Sequence, residues 1–307
     1  MSNYFSQFGG LWVDQRDQLA VAQGLAALAN PIDRQRVEHF IRYGYVVIEN
    51  AVPHAVIDAY LAEYDRASQT GELMMEVPFH GRRTYDATVR AKPGVKVLDT
   101  GMVLPSGHDL CFAPAVAQFL KLLFKEPALA FQTLHFEMGS TQAIHQDTAY
   151  VVVDKSPLHL VATWLALEDI ASGSGELVYY AGGHRLPETV YADGRKHWNH
   201  EKDGNPPHDA HLANLRQWAQ ERGLPMQQFL PKKGDVLFWH ADLPHGGNQI
   251  TVPGRTRKSL VTHYCPVSLR PYYSNFIAEN RRHVTPSVNG NGYMSLYYQP
   301  ERLIGGI

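Results

Sequence analysis

The chain has 307 residues, 44% of them hydrophobic and 19% charged, a balance that excludes disordered, collagen-like and coiled-coil chains. Its 28 basic and 30 acidic residues leave a net charge of −2, without the cationic excess that phosphate-backbone binding needs, which argues against nucleic acid as a partner. The length suits two domains of roughly 150 residues or one larger β sandwich or barrel.

Met1 to Trp12 has neither a basic n-region nor an apolar h-region, so no signal peptide is expected. Gln15 to Leu28 is rich in Ala and Leu and predicts a helix, punctuated by Asn30-Pro31. Asp33 opens a second helix, with Val37, Phe40 and Ile41 at i, i+3, i+4 spacing, and Gly44 ends it before a short strand, Tyr45 to Ile48. Pro53 starts a third helix to about Ala67, and Pro114 a fourth, from Ala115 to Phe124. From about residue 130 the pattern turns to strands: Phe131–Phe136, Ala149–Val153, Leu160–Leu167, Leu177–Tyr180, Asp235–His240 and Ser259–Tyr264. Short strands with turn-rich spacers predict a mainly β sandwich or barrel. Asp193 to Gln228 reads as a polar, His-rich insertion with one helix around Leu212–Glu221. Its HxxH pairs, His197/His200 and His208/His211, read as part of a solvated lid loop. Leu160–Leu167 is far short of the ~20 apolar residues a membrane span needs, so no membrane partner is expected. Cys111 and Cys265 stand far apart without a CxxC pair, which fits reduced thiols in a cytoplasmic protein.

His145-Gln146-Asp147 lies among strand-like residues, where side chains at i and i+2 share a face and can offer two ligands to one metal. His245 is the candidate third ligand, and two His with one carboxylate suit non-haem Fe(II). The bare H-x-D spacing is weak. Sixteen His and sixteen Asp in 307 residues give about one chance match, and His240-Ala241-Asp242 is a second instance. That second pair falls where a strand should end, so His240 is expected to pack beside the site without ligating. Arg255 and Arg257 follow His245 closely, and either offers a two-pronged donor to a carboxylate. Trp164 lies seventeen residues after Asp147, on a strand expected to line the same cavity.

Taken in order, Phe40–Ile48, His145–Tyr150, Trp164–Asp169, Gly175–Leu177 with Gly182–His184, Lys233–Phe238, His245–Asn248 and Arg257-Lys-Ser-Leu resemble the phytanoyl-CoA dioxygenase family. The resemblance spans about residues 35 to 265. It implies a double-stranded β-helix (jelly-roll, cupin-like) core with N-terminal and flanking helices. The chain is then one oxygenase domain: a helical part to about 125, a β core over about 130–265 and an extension over 266–307. The resemblance further implies His145, Asp147 and His245 as Fe(II) ligands. Arg257 is implied as the partner of 2-oxoglutarate, with Arg255 as the other candidate, and Trp164 and Gln132 as further cosubstrate contacts. Gly247 falls where the family often has Ser, which removes one hydroxyl contact. O2 is the co-reactant, succinate and CO2 are the products, and hydroxylation is the default outcome. The carboxylate of Asp147 stands against halogenation.

A metal-dependent hydrolase or isomerase using the same triad without 2-oxoglutarate is the alternative reading, and a silent binding module is a third. Tyr150 and His135 are candidates to line the substrate pocket. Arg82, Arg83, Arg90, Lys92 and Lys96, with Arg270, Arg281 and Arg282, would favour an anionic or carrier-bound small molecule if they converge on the mouth. Five tyrosines (272, 273, 293, 297 and 298) either cover that mouth or build a homo-oligomer interface.

Overall fold

The computed structural model of the chain describes residues 5–71, 73–78, 81–154, 156–273 and 283–296. The first part forms helices α1 (Gln18–Ala26) and α2 (Pro31–Tyr43), strand β1 (Tyr45–Ile48), helix α3 (His54–Ala67), strands β2 (Met74–Val77), β3 (Gly81–Thr84) and β4 (Lys96–Leu98), and helices α4 (Thr100–Val103), α5 (Pro105–Cys111) and α6 (Pro114–Phe124). Strands β5 (Ala128–Phe136), β6 (Val151–Val153), β7 (Val161–Ala166) and β8 (Leu177–Tyr180) follow. Then come helices α7 (His200–Asp203) and α8 (Pro206–Glu221) and strands β9 (Met226–Phe229), β10 (Val236–His240), β11 (His245–Gly247), β12 (Ser259–Pro266), β13 (Pro271–Tyr273), β14 (His283–Pro286) and β15 (Tyr293–Leu296).

Local chemistry sets the clearest boundaries. Asn30 accepts from the backbone N–H groups of Ile32 and Asp33, Pro31 occupies the first turn of α2, and Gly44 closes it at φ 76°. A side chain at Gly44 would also meet the His184 ring, 2.5 Å from the position of its Cβ.

The large sheet runs β1-β10-β7-β12-β5-β4-β2-β3, and β11-β8-β9 forms a smaller one. Strand alternation divides the side chains of the large sheet between two cores. Val161, Leu165, Phe238 and Leu260 pack with Val37 and Phe40 of α2 and with Phe119 of α6. Ala162, Trp164, Leu237, Trp239 and Val261 face the other way, onto Leu177, Tyr179 and Phe229 of the smaller sheet. Helices, large sheet and small sheet thus form three layers. The two apposed, mainly antiparallel sheets make a double-stranded β-helix, as expected.

Several boundaries differ from the sequence reading. The part before residue 125 is not purely helical, because β2, β3 and β4 extend the large sheet beyond β5. These strands are three or four residues long and carry Arg82, Arg83 and Lys96, too short and too charged for a visible alternation. In the C-terminal extension, β15 pairs in parallel with β5, and β13 pairs with β6. The helix expected from Gln15 starts at Gln18, where Asp17 caps it.

Candidate active site

His145 and His245 are partners in an isolated antiparallel bridge. Each donates its backbone N–H to the other's carbonyl, at 2.9 and 3.0 Å, and the ring centroids lie 4.5 Å apart. Nδ1 of His145 is 2.8 Å from the Ala143 carbonyl, and Nδ1 of His245 is 2.9 Å from the Leu243 carbonyl. A carbonyl only accepts, so each Nδ1 carries a proton, which leaves Nε2 as the atom of each ring that can face a cation. Those Nε2 atoms approach Asp147 Oδ1 at 3.8 Å and 3.6 Å. One donor atom from each residue lies within 4.8 Å of the others, and all three residues are buried.

The i, i+2 relation holds, but not on a regular strand. Gln146 is extended, which keeps its neighbours on one side, and Asp147 then opens a 3₁₀ turn, Asp147–Ala149. The strand expected from Ala149 begins only at Val151. Asp242 anchors the turn: its carbonyl accepts from Gln146 Nε2 at 2.7 Å and its carboxylate from Thr148 Oγ1 at 2.6 Å.

Burial pulls the His145 imidazole down to about 3; His245 adds to this and Asp147 opposes it. Burial acts to raise the Asp147 carboxyl, yet His245, His263 and His145 around it hold it well below the usual carboxylate range. A neutral His145 and an ionised Asp147 are the forms that bind a divalent cation. The Gln142 amide donates to His145 Nε2 at 3.2 Å, a donor standing where a cation would sit. Two imidazoles and one carboxylate, without thiolate, fit Fe(II).

A cavity runs from this triad to Arg257, with Trp164, Phe136, Leu134 and Val261 on its walls. Arg257 is 2% exposed, and its guanidinium lies 5.2 Å and 5.4 Å from the Phe136 and Trp164 ring centres. Nη1 donates to the Gly175 carbonyl at 3.1 Å, and Nε has no hydrogen-bond partner. Burial lowers its pKa to about 10, with Glu176 opposing. Arg255 is exposed and donates to the Ser172 carbonyl, so it does not reach the cavity. Gln132 is half-buried and sits across from His263, one pleat beyond Leu134, outside the cavity wall. Ser140 explains Gly247: its Oγ lies 2.4 Å from where a Cβ would stand.

Tyr150 stands beside the triad, its ring centroid 5.5 Å from that of His145, but its hydroxyl is 2.9 Å from His208 Nε2 and it does not line the cavity. His135 does not belong to the site. Alternation along β5 turns it to the opposite face, where it stacks on Tyr64 at 4.1 Å and contacts the Tyr60 hydroxyl. His240 packs beside the site without ligating: Nε2 lies 3.2 Å from Asp14, and Nδ1 accepts from the Asp242 backbone N–H. The insertion is not a solvated loop. His208 and His211 are buried on α8, and His208 stacks on Trp198. Of the basic cluster's described side chains none lines the cavity: Lys96 pairs with Glu76, Arg90 bonds Tyr85, and Lys92 and Arg270 are exposed. The side chains of Arg82, Arg83, Tyr272 and Tyr273, and the whole of Arg281, Arg282, Tyr297 and Tyr298, lie outside the described residues.

Sequence reasoning missed several residues of the site, among them Gln142, Trp239 and His263. For His263 the signal was present. It follows Arg257 and Val261 at even spacing, so alternation along β12 turns it to the same cavity.

Residues 40–259 match the family described as Phytanoyl-CoA dioxygenase (PhyH). The human protein named phytanoyl-CoA dioxygenase, peroxisomal, is 22% identical over 247 residues, covering 76% of this chain and 69% of its own. Among solved structures, the non-heme alpha-ketoglutarate-dependent epimerase SnoN from nogalamycin biosynthesis is similar at TM-score 0.57 and 19% identity, over 79% of this chain and 85% of that one. EctD from S. alaskensis, solved with 2-oxoglutarate and 5-hydroxyectoine, is similar at TM-score 0.54 and 15% identity, over 76% of each chain.

Proposed function

The chain belongs to the phytanoyl-CoA dioxygenase family, and from that premise we propose that it is an Fe(II)- and 2-oxoglutarate-dependent oxygenase that hydroxylates a small molecule. The observation that carries the reading is Arg257: a buried guanidinium, bonded to one carbonyl and with an orphaned Nε, at the far end of a cavity that begins at His145, Asp147 and His245. A buried cation with open donors is costly unless an anion completes it, and a dicarboxylate reaching from the triad supplies that anion.

Iron held by the three side chains would supply the oxidising power, using O2 to convert 2-oxoglutarate to succinate and CO2 and to hydroxylate the substrate. The chain's own residues do the positioning. The Ala143 and Leu243 carbonyls fix the ligand tautomers, and Arg257 takes the distal carboxylate. Phe136, Leu134, Trp164 and Val261 enclose the intervening carbons and keep water from the reacting end.

The same reading treats the chain as one domain, supported by a core that joins α2 and α6 to the large sheet. Cys111 and Cys265 are both buried thiols outside any disulfide, which suits the cytoplasm, and no helix among the described residues is long and apolar enough to cross a membrane. Tyr150 packs edge-on against His145 but does not line the cavity, so it would act through that ring and not by touching the substrate. The deciding experiment is succinate formation from 2-oxoglutarate by the iron-loaded protein, screened against CoA thioesters and small anionic metabolites. Iron-dependent succinate with a hydroxylated product is expected. Substrate turnover without 2-oxoglutarate would instead establish the hydrolase or isomerase.

A further inference from the structure

Asp147 has two carboxylate oxygens, and Oδ1 is the one that faces the His145 and His245 imidazoles. The surroundings of Oδ2 come from the opposite wall. Trp239 on β10, Ala162 on β7 and His263 on β12 form one row across three paired strands, and all three turn toward the small sheet and the site. Neighbouring strands lie about 4.8 Å apart, so the two rings stand roughly 10 Å apart at their backbones with a bare methyl group between them. Ala162 is fully buried and leaves a gap that any larger side chain would fill. The outer oxygen of Asp147 is held between the two rings: Trp239 Nε1 donates to Oδ2 at 2.7 Å, and His263 Nε2 lies 3.5 Å from the same atom.

His263 is the anomalous member of the row. It is 4% exposed, yet neither ring nitrogen has a hydrogen-bond partner. Buried polar atoms are nearly always paired, and an orphaned pair of ring nitrogens beside a carboxylate marks a contact completed when the site is loaded. Trp239 has one donor and cannot exchange roles.

We infer that Trp239 and His263, with the gap at Ala162, hold Oδ2 of Asp147 on the sheet side, so that Oδ1 alone is offered to the metal. They are positioning residues and act through Asp147. The inference rests on the proposed Fe(II) centre, and it concerns a property that centre needs. A carboxylate that binds through one oxygen leaves three positions of an octahedron open, enough for a two-point cosubstrate and O2. A carboxylate released to bind through both oxygens would fill one of them.

The test is a titration of the 307-residue protein with Mn(II), read from the paramagnetic resonance of the free ion, for the parent and for Trp239→Phe, His263→Leu, His263→Gln and Ala162→Leu. Loss of an outer contact to a ligand weakens metal binding by about 10- to 100-fold. Trp239→Phe, His263→Leu and Ala162→Leu should each show a loss in that range. His263→Gln keeps an N–H donor and should recover most of the His263→Leu loss, which a purely space-filling role would not allow. Co(II) spectra of the loaded proteins should change with His263→Leu and return toward the parent with His263→Gln. Equal Mn(II) affinity in the parent and His263→Leu overturns the inference, as does a His263→Gln variant as weak as His263→Leu. A parent that takes up no Mn(II), Co(II) or Fe(II) overturns the metal centre itself, a separate and visible result.

Discussion

Arg257 and Arg255 are two residues apart, and their surroundings assign them different work. Arg257 is buried against Trp164 and Phe136 with an unpartnered Nε, whereas Arg255 is exposed on a loop carbonyl. Arg257→Leu should weaken 2-oxoglutarate binding by about 100-fold, since losing one side of a buried charge pair costs about 2–5 kcal/mol. Arg255→Leu should leave it within about twofold. Calorimetry on metal-substituted protein measures both, and equal losses would sink the assignment. The candidate triad and Arg257 were legible through the ordered set of segments that resembles the family, with Arg255 still open beside Arg257, and not through the H-x-D spacing alone. His263 and Trp239 were less so, because their significance arises only when three strands align. His135 shows the reverse: it flanks the right residues in sequence but points to the wrong face of β5.

Among the elements, β1 and the end of α2 could be read to the residue from Gly44. The start of α2 is at Pro31, two residues before the Asp33 expected, because Asn30 caps it and proline is tolerated in its first turn. The segment before β9 could not be read so. Pro206 and Pro207 look like breakers, yet a helix tolerates proline in its first turn, and α8 starts there. Its companion turn, α7, is capped by Asn199. This region is fastened to the site by Lys196, which is 5% exposed and bonds Asp242 at 2.8 Å and Glu188 at 3.1 Å. Asp242 in turn holds Thr148 and Gln146. Lys196→Met should therefore destabilise the fold by about 3–5 kcal/mol in denaturant melts, because it strands two buried carboxylates. A cost under 1 kcal/mol would show that water already reaches them.

For the whole molecule, three layers of helix, large sheet and small sheet bury several histidines in neutral form. Burial pulls His184 down to about 3, with His240 and Arg185 adding to the effect, and pulls His211 down to about 4. Histidine in the unfolded chain takes up protons below about pH 6.5. Unfolding therefore binds protons as the pH falls, and stability should decline from about pH 6.5 toward pH 4. The slope would approach about 1.4 kcal/mol per pH unit for each such histidine. Denaturant midpoints measured from pH 8 to 4 should show this fall, and a flat profile would contradict it. No composition statistic foretold the effect, since the count of sixteen histidines is silent about which of them are buried.

The reciprocal bridge between His145 and His245 has a mechanical side. A cation shared by these residues is a removable clasp that closes a loop of about 100 residues, and a permanent cross-link of that span restrains an unfolded chain by about 4–5 kcal/mol. Without it, two backbone hydrogen bonds join the strands at this point. Chelation should therefore speed amide exchange and proteolytic nicking around 139–146 and 243–249, while amides in the middle of β12 stay protected. Metal status would then be written into the lifetime of the protein as well as into its chemistry.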